Sequence, residues 1–211
     1  MNQLYLTPTV RQLLFINVAV FIFTDFIAPM FHQQLGLPAG ELTKAKYFAL
    51  NFNLNSIDGE PLPFYPSQIL THMFTHGNFA HIMFNMFGLI TFGPPLELML
   101  KQRRFLIIYF AAGLGAAALQ WLVTPEGSLL GASGCMFGLL AAFAMYFPNV
   151  ELMLMFIPFP IKAKFFVLIY SAIELYLGMS GSQSGVAHFA HLGGAIMAFL
   201  IILFWKKGRV W

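Results

Sequence analysis

The sequence predicts an all-α, polytopic membrane protein whose six transmembrane helices form one bundle. Three observations carry this. The 211 residues are 59% hydrophobic and only 9% charged, whereas soluble domains carry roughly a quarter charged residues. Mean hydropathy is +0.75. Six apolar stretches recur along the chain, each near the roughly 20 residues a spanning helix needs.

Taken in order, the first span covers about residues 11–30. Arg11 alone precedes it and no small-residue cleavage pattern follows, so it reads as an uncleaved span rather than a signal peptide. A long loop, about 31–78, comes next. Its second half, Pro61 to His76, is apolar and holds Pro61, Pro63 and Pro66, a composition suited to resting in the membrane interface. The remaining spans lie at about 79–99, 104–124, 132–147, 161–178 and 186–205. The fourth is short, so the chain before it must dip below the surface, where irregular backbone is tolerated beside a wet cavity or protein. No internal repeat is visible, so the whole chain, 1–211, is expected to form a single domain without transporter-style inverted symmetry.

Basic residues set the orientation. Arg11 precedes span one, and Lys101, Arg103 and Arg104 separate spans two and three. Lys162 and Lys164 adjoin span five, and Lys206, Lys207 and Arg209 follow span six. Placing these inside leaves only Lys44 and Lys46 outside, which puts both termini in the cytoplasm. The expected location is a bacterial inner, or plasma, membrane. The net charge of +3 is this asymmetry and not a nucleic-acid footprint. The single cysteine, Cys135, has no internal disulfide partner.

Polar side chains are costly in hydrocarbon and are functional suspects there. They gather at three places: THMFTHGNFAHIMFN at the start of span two, Gly131-Ala132-Ser133-Gly134 at span four, and Gly185–Gly194 at span six. With both termini inside, these three spans all begin at the outer face. Ser133, His191, His81 and Asn85 then fall in one shallow slab, roughly 5–12 Å deep at 1.5 Å per residue. His81 and Asn85 share a helix face, as do Ser133 and Phe137, and His191 and Gly194. Gly134 with Gly138, and Ala190 with Gly194 and Ala198, are small residues that let helices four and six approach closely.

The chemistry this permits is acyl transfer. A serine hydroxyl becomes nucleophilic when a histidine base lies within hydrogen-bond reach. The resulting oxyanion needs placed donors. His81, Asn85 and the Ser133 backbone N–H supply them, the last aided by the positive end of its helix dipole. No acid is assigned to His191, so a Ser-His dyad is expected, with Phe137 orienting the imidazole. Asp25 and Glu174 are read as bundle-facing hydrogen-bond groups.

The segments HGNFAHIMFN, GASG and AHFAHLGG resemble the rhomboid family of intramembrane serine proteases. The motifs span about residues 66–198 and lie in order on alternate spans. The resemblance implies Ser133 as nucleophile and His191 as general base. It implies His81 and Asn85 in the oxyanion hole, supported by Gly131, Gly134 and Gly194, and His76 at the outer edge of the cavity. It further implies that span five and the loop Met179–Gly185 gate and cover the site, and that substrates are transmembrane proteins. There are departures: Ser67-Gln68 stands where many members have Trp-Arg, which bears on loop anchoring. Phe137 replaces a tyrosine found in some, which bears on hydrogen bonding around His191. Ala198 replaces a glycine.

Other polar residues receive plainer readings. His188, three residues before His191, is placed at the interface. His72 and His32 are interface residues, Cys135 is a small buried hydrophobe, and Glu97 forms a solvated pair with Lys101 or Arg104. No H-E-x-x-H helix occurs, so neither a metal nor another cofactor is expected, and the partners are the lipid bilayer and its protein substrates. The competing functions are a catalytically silent client-binding relative and a transporter. The apolar inner halves of spans two, four and six oppose a transporter, and retention of Ser133 with His191 opposes silence.

Overall fold

The structure, a computed structural model, describes residues 6–31, 34, 44–52, 61–153, 159–181 and 185–208. His32, Arg209 and residues 182–184 of the expected covering loop lie outside them.

Helix α1, Pro8–Ile22, opens on a proline whose missing N–H costs nothing in a first turn. It continues through a π-helical turn, Phe23–Ile27, and a last turn, Ala28–Met30. A short helix α2, Gln68–Thr71, runs into a 3-10 turn, His72–Phe74. The helical stretch Phe79–Val123 is broken at Lys101, whose φ of 64° and ψ of 162° are non-helical. We label its segments α3 (79–100) and α4 (102–123). Helices α5 (Ser133–Tyr146), α6 (Ala163–Ser180) and α7 (His188–Lys207) follow. Among the described residues, four helical stretches, Pro8–Met30, Phe79–Val123, Ala163–Ser180 and His188–Lys207, are long and apolar enough to cross a membrane; α5 is shorter and apolar.

The chain divides into two compact units, 1–94 with 121–133, and 95–120 with 134–211. In the first, strand β1 (Leu50–Phe52) pairs antiparallel with β2 (Gly127–Leu129), an element the hydropathy pattern does not announce. Buried polar groups pin the long loop here. Lys44 Nζ lies 2.6 Å from Asp25 Oδ1 and 3.4 Å from the Gly77 carbonyl. Gln68, wholly buried, donates from Nε2 to the Lys46 and Pro63 carbonyls (2.9 and 3.2 Å) and accepts from Tyr65 N (3.2 Å). The loop therefore has an anchor at the position where the Trp-Arg pair is absent.

In the second unit, small residues set helix spacing. A Cβ on Gly194 would collide with the Gly134 carbonyl, and one on Gly138 with the Ala112 methyl, with Ala198 Cβ 3.5 Å away. The expected close approach of α5 and α7 is thus present, and α4 joins it through Ala112 and Ala116. A second short pair, β3 (Glu151–Leu152) with β4 (Ile161–Lys162), precedes α6. Helix α6 ends at Gly181 in the left-handed region (φ 63°), whose N–H caps the Leu177 carbonyl. Large apolar side chains such as Phe84, Phe87, Leu168 and Phe204 are exposed, as a lipid-facing surface requires. Glu97, read as solvated, is instead buried.

Candidate active site

In the first unit the polar cluster is built on the entry to α3 and the turn before α5. Asn78 Oδ1 accepts from His81 N (2.9 Å), closing the first turn of α3. His81 Nδ1 accepts from Gly77 N at 3.5 Å, which leaves Nε2 as the N–H of the ring. The turn before α5 passes beneath it. Gly131 has φ 118°, and a Cβ there would sit 2.5 Å from His81 Nε2 and 3.7 Å from Ser133 Oγ. Only glycine fits, both for its backbone angle and for space. His81 and the Ser133 hydroxyl therefore flank Gly131. Asn85 is buried and donates one N–H to the His81 carbonyl (3.0 Å); the amide carries a second.

Two further histidines hold this turn. The His72 carbonyl accepts from Gly131 N (2.8 Å), and the His72 ring bonds through Nδ1 to the Gln68 carbonyl (2.8 Å). His76 Nε2 accepts from Ala132 N (3.5 Å), and its ring meets that of His81 edge-on at 5.1 Å. Burial first, then the charges of His81 and Lys44, push the His76 pKa down to about 3. Its ring is therefore neutral and free to accept. His72, read as an interface residue, is instead buried, and His76 is buried with it beside the Gly131–Ala132 backbone.

The second unit holds the imidazole of His191. Phe137 stacks on it face to face, ring centroids 4.3 Å apart and planes 5° apart. Tyr170 packs on Phe137 at 4.8 Å. Gly194, one turn on, admits the α5 backbone. His191 Nδ1 lies 2.9 Å from Glu174 Oε2, and His188 Nδ1 lies 2.7 Å from the same oxygen. All three side chains are buried. The expectation that no acid serves His191 is thus overturned, and His188 belongs to the bundle interior instead of the interface. The reason is helical geometry. Residues 188 and 191 lie one turn apart on α7, and the Glu174 carboxylate reaches both.

The Rhomboid domain family matches residues 64–207, more than half of the chain. This chain belongs to the rhomboid family. Among rhomboid relatives, YdcA of Bacillus subtilis is 28% identical over 178 residues, 82% of this chain and 82% of that one. Rhomboid protein 1, mitochondrial, of Saccharomyces cerevisiae is 32% identical over 140 residues, 63% of this chain and 40% of that one. Rhomboid-type serine protease 2 of Emericella nidulans is 29% identical over 156 residues, 69% of this chain and 28% of that one. The chain thus spans most of YdcA and well under half of the other two. A multi-pass, all-α rhomboid membrane protein is the architecture that the helices and the family together establish.

Sequence reasoning placed Ser133, His191, His81 and Asn85 in one shared site; the structure brings Ser133, Gly131, His81 and Asn85 together in the first unit and His191 with Phe137 in the second. The sequence reading took Glu174 as a bundle-facing hydrogen-bond group, which it is, but missed that His191 and His188 are its partners. A signal was available, since Glu174 is an acid in the middle of an apolar span, and such a residue is functional by default. What the linear pattern lacked was the rotation of α6 toward α7.

Proposed function

We propose that this chain is an intramembrane serine endopeptidase, hydrolysing peptide bonds in or near transmembrane segments of membrane proteins. Ser133 is the nucleophile and His191 the base. The observation that carries the reading is the stack of Phe137 on His191. Phe137 follows Ser133 by one turn of α5, so the residue that fixes the imidazole and the residue that needs a base share a helix face. Relatives bearing the names rhomboid protease and serine protease favour hydrolysis.

The steps follow from the groups present. Ser133 Oγ attacks the scissile carbonyl carbon while its proton passes to His191 Nε2. The oxyanion receives the Ser133 N–H, the His81 Nε2–H and the free Asn85 N–H, donors already in place before charge develops. His191 then gives its proton to the leaving amine, and water releases the acyl group by the same path in reverse. Six spans, with both termini cytoplasmic, put this chemistry at the outer leaflet.

The test is labelling with a fluorophosphonate probe together with cleavage of a transmembrane model substrate. The wild type is expected to label and cut. Ser133→Ala and His191→Ala are expected to do neither while keeping the helical spectrum of the fold. Undiminished cleavage by Ser133→Ala would refute the reading.

A further inference from the structure

Of the 18 residues of α6, only Ala163 and Glu174 are buried. The rest are half-buried or exposed, so one of the two side chains the helix buries is an acid, the side chain hydrocarbon tolerates least. Glu174 Oε2 meets two imidazole nitrogens, His191 Nδ1 at 2.9 Å and His188 Nδ1 at 2.7 Å. A carboxylate oxygen accepts and does not donate, so both rings present Nδ1–H to it. A histidine with its proton on Nδ1 has its lone pair on Nε2, the form a general base must take.

We infer that Glu174 is the positioning acid of His191, holding its Nδ1–H tautomer and countering the charge it takes up, with His188 as second donor to the same oxygen. This rests on the Ser133–His191 reading above and converts the expected dyad into a triad with an added histidine. When His191 Nε2 accepts the serine proton, the ring becomes a cation 2.9 Å from a carboxylate. Glu174 takes no proton itself, and the transferred proton leaves with the amine. His188 gives the same oxygen a second N–H at 2.7 Å and so shares the acceptor with His191. Phe137 has no hydroxyl to offer His191, so it fixes the ring plane by stacking and leaves the hydrogen bond to Glu174. These three side chains also form a His-His-carboxylate set of the kind zinc uses. Here, however, Oε2 already contacts both nitrogens at hydrogen-bond length, and a cation would have to part both contacts.

Among the groups facing His191 are Glu174 from α6, Phe137 from α5, itself packed by Tyr170, and His188 from its own helix. The experiment compares Glu174→Gln, His188→Phe and Ser133→Ala in the full chain, in proteoliposomes, across pH. Glu174→Gln is expected to lose on the order of 10²–10⁴-fold in kcat with KM unchanged, the corresponding acid-to-amide change in a serine protease triad costing about 10⁴. The acid limb of its kcat/KM profile moves to lower pH, because the imidazolium has lost its counter-charge. His188→Phe, which leaves the carboxylate to His191 alone, moves that limb to higher pH. A structural role would lower stability and leave both limbs where they were. A Glu174→Gln kcat within threefold of wild type, beside an inactive Ser133→Ala, overturns the role of Glu174 and leaves the serine reading intact. An active Ser133→Ala overturns the serine reading itself. Should Glu174→Gln fail to fold, the limb of His188→Phe decides: upward supports the inference, unmoved overturns it. Inhibition of the wild type by micromolar zinc that chelation reverses and His188→Phe abolishes would assign the cluster to a metal and also overturn it.

Discussion

Gly131→Ala separates the serine's surroundings into backbone and side-chain contributions. The added methyl would lie 2.5 Å from His81 Nε2 and 2.6 Å from Cε1, against the 3.5–4.0 Å at which such atoms rest. The ring must therefore withdraw by about 1 Å. Because the ring is the far end of a rotatable side chain, this costs the fold little. It costs the chemistry more: a displacement of about 1 Å at a reacting centre loses on the order of 10²-fold, and removing one oxyanion donor costs about 10²–10³-fold. The backbone adds a separate penalty, since φ 118° at a non-glycine residue costs roughly 1–3 kcal/mol of stability. Gly127→Ala is the control. Its φ is 136° and a Cβ there meets nothing within 4 Å, so it carries the strain without the collision. The assay is kcat on a transmembrane peptide in proteoliposomes, with thermal unfolding in detergent alongside. Both variants should lose comparable stability, and only Gly131→Ala should lose about 10²-fold or more in kcat. If Gly131→Ala retains kcat within threefold of Gly127→Ala, the position of His81 is irrelevant to the reaction and the oxyanion argument fails.

Two further perturbations address the elements behind that turn. His76 has a folded pKa near 3 against an ordinary value of 6.5, so between those values the unfolded chain binds more protons than the folded one. Its contribution to stability is complete above about pH 6.5 and lost as pH falls toward 3; His76→Gln should flatten the fall in unfolding temperature across that window, and a slope equal to wild type would contradict the assignment. Gly194→Ala drives a methyl into the Gly134 carbonyl and should destabilise by about 1–3 kcal/mol, read as an earlier thermal transition, whereas an unchanged transition would mean the two backbones are not in contact.

Much of the fold was legible because the bilayer narrows the choices. Backbone polar groups in hydrocarbon must bond within their own segment, so apolar runs of sufficient length read as helices. The helical bounds 79–123, 133–146, 163–180 and 188–207 follow the apolar runs for this reason. The long loop was opaque on the same grounds. Outside hydrocarbon the hydropathy pattern no longer constrains structure, and β1 with β2 forms from residues 50–52 and 127–129, which are far apart in the chain. Nor does Lys44 look like a buried residue in sequence. It becomes one because Asp25 lies 2.6 Å away, and a paired charge tolerates burial that a lone one does not.

The site divides along a different line. Ser133, His81 and His191 were readable because each motif opens a helix, and where a helix begins follows from the apolar run. Rotation does not. Which face of α6 turns inward depends on packing against α7, which the run of apolar residues along the chain does not report. Glu174 is the exception that could have broken the tie. On a lipid-facing helix an acid has one tolerable direction, toward donors, and the α7 motif supplies two imidazoles one turn apart. Treating the acid as a constraint on rotation, rather than as a residue awaiting a role, would have pointed α6 at His188 and His191 before any coordinates. The same inference extends to Asp25 and Lys44. In an apolar chain with few charges, each buried charge restricts its helix more than any run of leucines does, because it must find the one neighbour that can satisfy it.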